Sequence, residues 1–224
     1  MLPDLVETMS STRDLLTDLL TAYARRRPVR SIVIVGNAPL SPCADRAAAI
    51  DGADLVVRTT SFALDRAGDD PTYGRNVDVV LLHRGTKASP WLFEQYRRRL
   101  YLLAEPGRLH WEPEQFPDWW PSDMGYLPLS NRDWTIPLCE LAGMDVRNSA
   151  TWTTTGTLGI YVMTELFPHA RTSIAGFSII DDAGQSVFAH AWGAPVNVTT
   201  EHRLDREQAL LRRWITQGRI HQLP

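Results

Sequence analysis

Short continuous apolar runs alternate along the chain with segments that have helical spacing. The first run, Ile32 to Val35, is followed by a helical pattern over 44–50 and by a second apolar run over 54–58. A run without polar alternation is typical of a parallel strand that is buried on both faces. This order therefore predicts a strand, a tight turn, a helix and a second strand, which is the beginning of an α/β sheet.

The rest of the chain continues this alternation. Apolar residues with helical spacing predict helices at 1–28, 90–103, 136–143 and 158–166, and in a terminal segment that contains His202 and Glu207. Further apolar runs predict strands at 77–82 and 172–175. Nothing in 1–224 marks a second domain, so one α/β domain with a mostly parallel sheet flanked by helices is expected.

One long segment, 106–134, has no sustained periodicity and is rich in proline and tryptophan. We expect an irregular loop or lid there. Because tryptophan rings stack well on sugar rings and bases, Trp111 and Trp120 are candidates for acceptor contact. The alternative is that these rings only attach the loop to the core by apolar burial.

Composition narrows the classes of partner. The 224 residues are 44% hydrophobic and 22% charged, with a net charge of −3 at pH 7. That charge argues against a general nucleic-acid or membrane-surface binder.

No apolar run reaches the roughly 20 residues of a membrane-spanning helix. Two cysteines, Cys43 and Cys139, are too few for a disulfide framework, so a cytoplasmic protein with reduced thiols is expected.

Glycines follow two of the predicted strands. Gly36 and Asn37 end the first strand, and Gly176 and Phe177 end the strand at 172–175. Ligands of open α/β sheets lie beyond the carboxyl ends of the strands, so these residues indicate a nucleotide-type site. An ordinary strand-to-helix turn is the equally weighted alternative for the first of them.

Hydroxyls and histidines supply candidate chemistry near the same edge. Thr154 and Thr155, with Gly156, precede a helix whose free N–H groups can hold a phosphate. His83 ends a strand and is expected either to bind substrate or to be structural. His202 is predicted in the first turn of the terminal helix, where the helix dipole favours the neutral imidazole that a general base requires.

Together these segments resemble the sialyltransferases of the animal type, glycosyltransferase family 29. The resemblance rests on four stretches in the family's order. They are Val33 to Asn37 with Asp54 to Arg58 and 74–78 (large sialylmotif), Thr154 to Leu158 with Ala175 to Phe177 (small sialylmotif), His190-Ala191-Trp192 (motif III) and His202 with Glu207 (very small motif).

The resemblance implies a Rossmann-like domain, a sialyltransferase-type GT-A variant, that transfers sialic acid or a related acid sugar from a CMP-sugar to the hydroxyl of a glycan or small-molecule acceptor. It implies inversion without a metal or other cofactor. His202 would be the general base and His190 would donate to the leaving phosphate. The implied donor-binding residues are Gly36, Asn37, Arg58, Thr60, Thr154, Thr155, Gly156, Gly176 and Phe177.

The chain also departs from the family. Thr60 stands where the family has an asparagine, and the cysteines are misplaced for the family's disulfide, which fits a soluble bacterial relative. Three alternatives follow: a nucleotide-binding module without transferase activity, a transferase that uses another nucleotide-sugar in natural-product or cell-surface glycan biosynthesis, and an unrelated α/β enzyme such as a methyltransferase. The last lacks a full G-x-G-x-x-G motif here.

Overall fold

The computed structural model describes residues 4–104, 120–146 and 148–224, with side chains from residue 12 onward. Its strands are β1 (Ser31–Val35), β2 (Leu55–Thr59), β3 (Val79–His83), β4 (Leu100–Ala104), β5 (Leu127–Leu129), β6 (Arg171–Ala175), β7 (Val187–Phe188), β8 (Val196–Asn197) and β9 (His221–Gln222). Its α-helices are α1 (Asp4–Tyr23), α2 (Ala44–Gly52), α3 (Ile136–Leu141), α4 (Thr155–Leu166) and α5 (Leu204–Thr216).

Seven strands form one sheet in the order β5-β4-β3-β2-β1-β6-β9. All of its neighbouring pairs are parallel. The α/β fold with a mostly parallel sheet is therefore confirmed. The chain adds β2 to β5 on one side of β1 and then places β6 and β9 on the other. This reversal opens a crevice at the carboxyl end of β1, where ligands of such sheets bind.

Burial on both faces explains the apolar runs. Ile32 and Ile34 of β1 point into the larger core cluster, whereas Val33 and Val35 point into a smaller cluster on the opposite face. Helix α4 packs across β1, β2, β3 and β6. Strands covered on both sides read as continuous hydrophobic segments, which is why the sequence pattern located them.

The helix predicted at 90–103 is wrong. The segment forms turns, a short 3-10 helix at Tyr96–Arg98 and then β4, which pairs with β3. Leu100 and Leu102 pack into the larger core cluster, and Tyr101 and Leu103 into a separate cluster on the other face. Burial on both faces of a parallel strand outweighed the local helical spacing.

The irregular loop predicted at 106–134 is also corrected in part. Of this range the structure describes 120–134, which contains β5 and the start of a π-helical turn at Asn131–Thr135. Trp134 is only 3% exposed and packs edge-on against Tyr161. Trp111 lies outside the described residues.

Two further expectations concern thiols and membranes. Cys43 and Cys139 are both free. No helix within the described ranges combines the length and the apolar character needed to cross a bilayer.

Candidate active site at the carboxyl edge of the sheet

A cavity of about 940 Å³ opens at the carboxyl edge of the sheet. Its wall is built from the loops that follow β1, β2, β3 and β6, from the N-terminus of α4, and from the segment 188–202. The sequence-predicted residues that line it are Gly36, Asn37, Thr60, Thr154, Thr155, Gly156, Gly176, Phe177, His190 and His202. His83, whose role the sequence left open, also lines it, so the fold brings together eleven of the fourteen candidate residues. Arg58 and Trp120 do not line the cavity, and Trp111 lies outside the described residues.

Gly36 and Gly176, which follow β1 and β6, lie in two loops that are hydrogen-bonded to each other. The Gly36 N–H donates to the carbonyl of Ala175 at 2.8 Å, and the Ala38 N–H donates to the carbonyl of Gly176 at 3.1 Å. A Cβ on Gly36 would lie 2.3 Å from the Gly176 carbonyl oxygen, and Gly176 itself has φ +72°. Both positions therefore require glycine because the two loops pack backbone against backbone.

The side chain of Asn37 bonds to two threonines, and its main chain bonds to the segment that contains His190. Its Nδ2 donates to Thr60 Oγ1, and Thr59 Oγ1 donates to its Oδ1 at 3.5 Å. The Asn37 carbonyl accepts the N–H of Ala191 at 2.7 Å, which attaches the segment bearing His190 to the loop after β1.

Thr60 occupies an unusual backbone conformation, with φ 47°. A β-branched residue in the left-handed region is strained, and such strain concentrates at functional sites. Asparagine, which the animal-type sialyltransferases have at this position, tolerates this conformation better than threonine does.

Arg58 does not line the cavity. Its side chain is fully buried, and its guanidinium donates to the carbonyl of Tyr73 at 2.8 Å and to that of Asn76 at 3.0 and 3.1 Å. Burial lowers the pKa of Arg58 to about 10. The expected donor contact is therefore replaced by a structural one, in which Arg58 fastens the loop before β3.

Glu207 anchors the N-terminus of α4. Its carboxylate is buried and accepts the Thr154 N–H at 3.0 Å, the Thr154 hydroxyl at 2.8 Å and the Thr157 hydroxyl at 2.5 Å. Burial raises the pKa of the Glu207 carboxyl, against the effect of these donors. Because the N–H and the hydroxyl of Thr154 both donate to Glu207, the N–H groups of Thr155 and Gly156 in the first turn of α4 remain for an anion in the cavity.

Phe177 closes the cavity against this helix terminus. A Cβ on Gly156 would lie 2.7 Å from Phe177 Cε1, so the ring packs directly on the helix backbone. The half-buried ring also lines the cavity and offers an apolar face to a ligand.

His202 precedes α5 rather than lying in its first turn. The helix begins at Leu204, and Arg203 is its N-cap. His202 is fixed instead by a bond of 3.1 Å between its Nδ1 and the carbonyl oxygen of Trp152. A carbonyl can only accept, so Nδ1 carries the proton and Nε2 of the neutral ring keeps its lone pair.

His83 and His190 share the cavity with His202. Burial lowers the pKa of His190, and burial together with the charges of His202 and His190 lowers the pKa of His83 to about 4. His83 Nδ1 accepts the N–H of Gly85 at 3.0 Å, so its Nε2 carries the ring proton.

Some of the tryptophans that the structure describes line the cavity, and others pack in the core. Trp120 packs edge-on against Phe93 at 5.7 Å and against Tyr126 at 6.0 Å, in the cluster around β3 and β4, and does not line the cavity. Trp152 and Trp192 do line it. Trp152 gave no separate signal in the sequence, because its role is a backbone carbonyl.

Two cations of the cavity were also not singled out from the sequence. Arg84 and Lys87 follow β3 and line the wall near His83. Their position directly after a predicted strand end was the available signal. Among the described residues, no group of three or more His, Cys, Asp or Glu side chains is placed to hold a metal ion.

Solved structures of similar fold exist. A crystal structure of a mammalian sialyltransferase superimposes with a TM-score of 0.57 at 14% identity, over 94% of this chain and 78% of that one. A crystal structure of a mammalian sialyltransferase in complex with Gal-beta-1-3GalNAc-ortho-nitrophenol gives a TM-score of 0.55 at 15% identity, over 87% and 69%. No family model and no curated protein sequence matches the chain. At these identities the similarity shows the fold alone.

Proposed function

We propose that this chain is a glycosyltransferase that moves sialic acid or a related acid sugar from a CMP-activated donor to an acceptor hydroxyl. The acceptor oxygen attacks the anomeric carbon, the bond from that carbon to the phosphate oxygen breaks, and CMP leaves. The acceptor proton passes to His202. Attack opposite the leaving phosphate inverts the anomeric configuration.

The observation that carries this proposal is the fixed tautomer of His202. Trp152 holds the Nδ1–H, so the neutral ring has its basic nitrogen, Nε2, available in a cavity that a substrate can enter. An orienting partner on the second ring nitrogen is the usual support of a histidine general base. Such a base contributes roughly 10²–10⁴-fold to the rate.

The leaving phosphate would be received by the other side of the cavity. Thr155 and Gly156 offer first-turn N–H groups of a helix whose dipole favours an anion. His190, attached through the Ala191 N–H to the carbonyl of Asn37, would donate a hydrogen bond to the phosphate as its charge grows. This arrangement requires no metal ion.

The donor nucleotide would lie over the crevice between β1 and β6. Gly36, Asn37, Gly176 and Phe177 form its floor, and Thr60 orients the amide of Asn37. The similarity of fold to mammalian sialyltransferases supports CMP as the nucleotide.

Calorimetric titration with CMP in the presence of EDTA tests this assignment. UMP, GMP and S-adenosylmethionine are the controls. Selective binding of CMP without metal is expected. Preference for S-adenosylmethionine would instead favour the methyltransferase alternative, and preference for UMP or GMP a different nucleotide-sugar.

A nucleotide-binding module without transferase activity is the second candidate. The observation that favours it is Thr60, a strained residue that replaces the asparagine of the resembled family. It predicts CMP binding with no release of CMP from any CMP-sugar, whatever acceptor is supplied.

A further inference from the structure

The turn that follows β3 holds the ring of His83 in one position. The His83 carbonyl accepts the Thr86 N–H at 3.0 Å, and the His83 N–H donates to Thr86 Oγ1 at 3.2 Å. Inside this turn the Gly85 N–H donates to His83 Nδ1 at 3.0 Å, and a Cβ on Gly85 would lie 3.1 Å from His83 Cε1. The ring is therefore oriented by its own turn, and no hydrogen bond among the described residues uses its Nε2–H, which is left for a ligand.

The same turn carries the cavity's permanent positive charges. Arg84 and Lys87 line the wall beside His83, and the one carboxylate among the described lining residues is that of Glu201. Lys87 is exposed and is the only lysine of the sequence. Because burial lowers the pKa of His83 to about 4, its ring stays neutral at physiological pH and remains a hydrogen-bond donor.

His83, Arg84 and Lys87 lie beside the position proposed for the nucleotide rather than in it. In the sheet β3 is separated from β1 by β2. Neighbouring strands lie about 5 Å apart, so the turn after β3 is on the order of 10 Å from the loop after β1. That distance suits the sugar of the donor or an acceptor that enters beside it.

We propose that His83, Arg84 and Lys87 form a subsite for a carboxylate of the substrate. This assignment rests on the proposed function, which supplies an acid sugar as the ligand. The carboxylate belongs either to the donor sugar or to an acidic acceptor. Two permanently charged side chains and one neutral N–H donor complement a carboxylate, which accepts several charge-assisted hydrogen bonds.

The single lysine allows a direct test. In the purified chain an amine-selective acetylating reagent modifies only Lys87 and the α-amino group, and peptide mass spectrometry measures both rates. N-acetylneuraminic acid at millimolar concentration is expected to slow acetylation of Lys87 at least fivefold and to leave the α-amino group unchanged. Its methyl ester, which has the same shape but no charge, is expected to give no protection.

Two histidine variants distinguish loss of the subsite from an unspecific effect of removing a histidine. His83→Ala is expected to weaken protection of Lys87 by the free acid several-fold. His169→Ala, which removes an exposed histidine after α4 that does not line the cavity, is expected to preserve it. Equal protection by acid and ester, or no protection by any acidic sugar, would overturn the subsite.

Two further ligands identify the source of the carboxylate. Protection by CMP-N-acetylneuraminate but not by 3′-sialyllactose assigns it to the donor, whereas protection by 3′-sialyllactose but not by lactose assigns it to an acidic acceptor. CMP binding is measured separately. Selective CMP binding without protection of Lys87 would refute the subsite alone, and protection without CMP binding would refute the proposed donor alone.

Discussion

His83 and His202 line the same cavity with opposite tautomers. Nδ1 of His83 accepts a hydrogen bond from Gly85 N–H, whereas Nδ1 of His202 donates one to the carbonyl oxygen of Trp152. In the neutral rings, Nε2 is therefore a donor in His83 and an acceptor in His202. One histidine is suited to binding a substrate oxygen and the other to taking a proton from it.

The burial of His83 predicts a pH dependence of stability. Its pKa falls from 6.5 to about 4 on folding, so its contribution is fully present above pH 6.5 and is lost as pH falls toward 4. Between pH 7 and pH 5 the free energy of unfolding should fall by about 2 kcal/mol more in the wild type than in His83→Asn. Urea unfolding at the two pH values measures this, and equal losses in both proteins would contradict it.

Glu207 should be a positioning residue for α4. Glu207→Ala removes the acceptor of two threonine hydroxyls and of the Thr154 N–H, so it should lower the free energy of unfolding by about 1–3 kcal/mol. Affinity for CMP, measured by calorimetry, should fall as well, because the helix terminus that is proposed to receive the phosphate loses its anchor.

Glu165→Ala is the matched control for this change. Glu165 pairs with Arg219 at 2.6 Å, and both side chains are 31% exposed. Such a pair contributes about 0–1 kcal/mol, and it lies away from the cavity. Equal effects of the two substitutions on CMP affinity would contradict the role given to Glu207.

Gly36→Ala tests the contact between the loops after β1 and β6. The new Cβ would meet the Gly176 carbonyl oxygen at 2.3 Å, so the backbone must move, at a cost of about 1–3 kcal/mol. Gly52→Ala is the control, because a Cβ on Gly52 would meet no neighbouring atom within 4 Å. Thermal unfolding should show a loss for the first variant only; a loss of the same size in both would refute the contact.

The sequence predicted the central strands and α4 because burial on both faces leaves a continuous apolar run, as in β1. It failed at β4 because the spacing of the apolar residues over 90–103, which include Leu100 and Leu103 of β4, also fits a helix. Pairing with β3 decides that segment, and such pairing between distant segments is not visible in a local pattern.

The candidate site was predictable to the extent that it lies at strand ends and helix starts. Asn37, Thr155 and Gly176 were found in this way and do line the cavity. The resemblance implied that Arg58 binds the donor, but its side chain turns to the carbonyls of Tyr73 and Asn76 and does not line the cavity. The part played by Trp152 depends on its main chain, for which the identity of the residue gives no signal.

The role of His202 as the base is decided by the release of CMP from CMP-N-acetylneuraminate by wild type and His202→Ala. Release should fall about 10²–10⁴-fold in the variant, because no base takes the acceptor proton. CMP binding should change less than about threefold, since the proposal places His202 beside the acceptor rather than the nucleotide. His221→Ala, whose histidine lies outside the cavity, should behave as wild type. Equal rates of CMP release in His202→Ala and wild type would contradict the proposed mechanism.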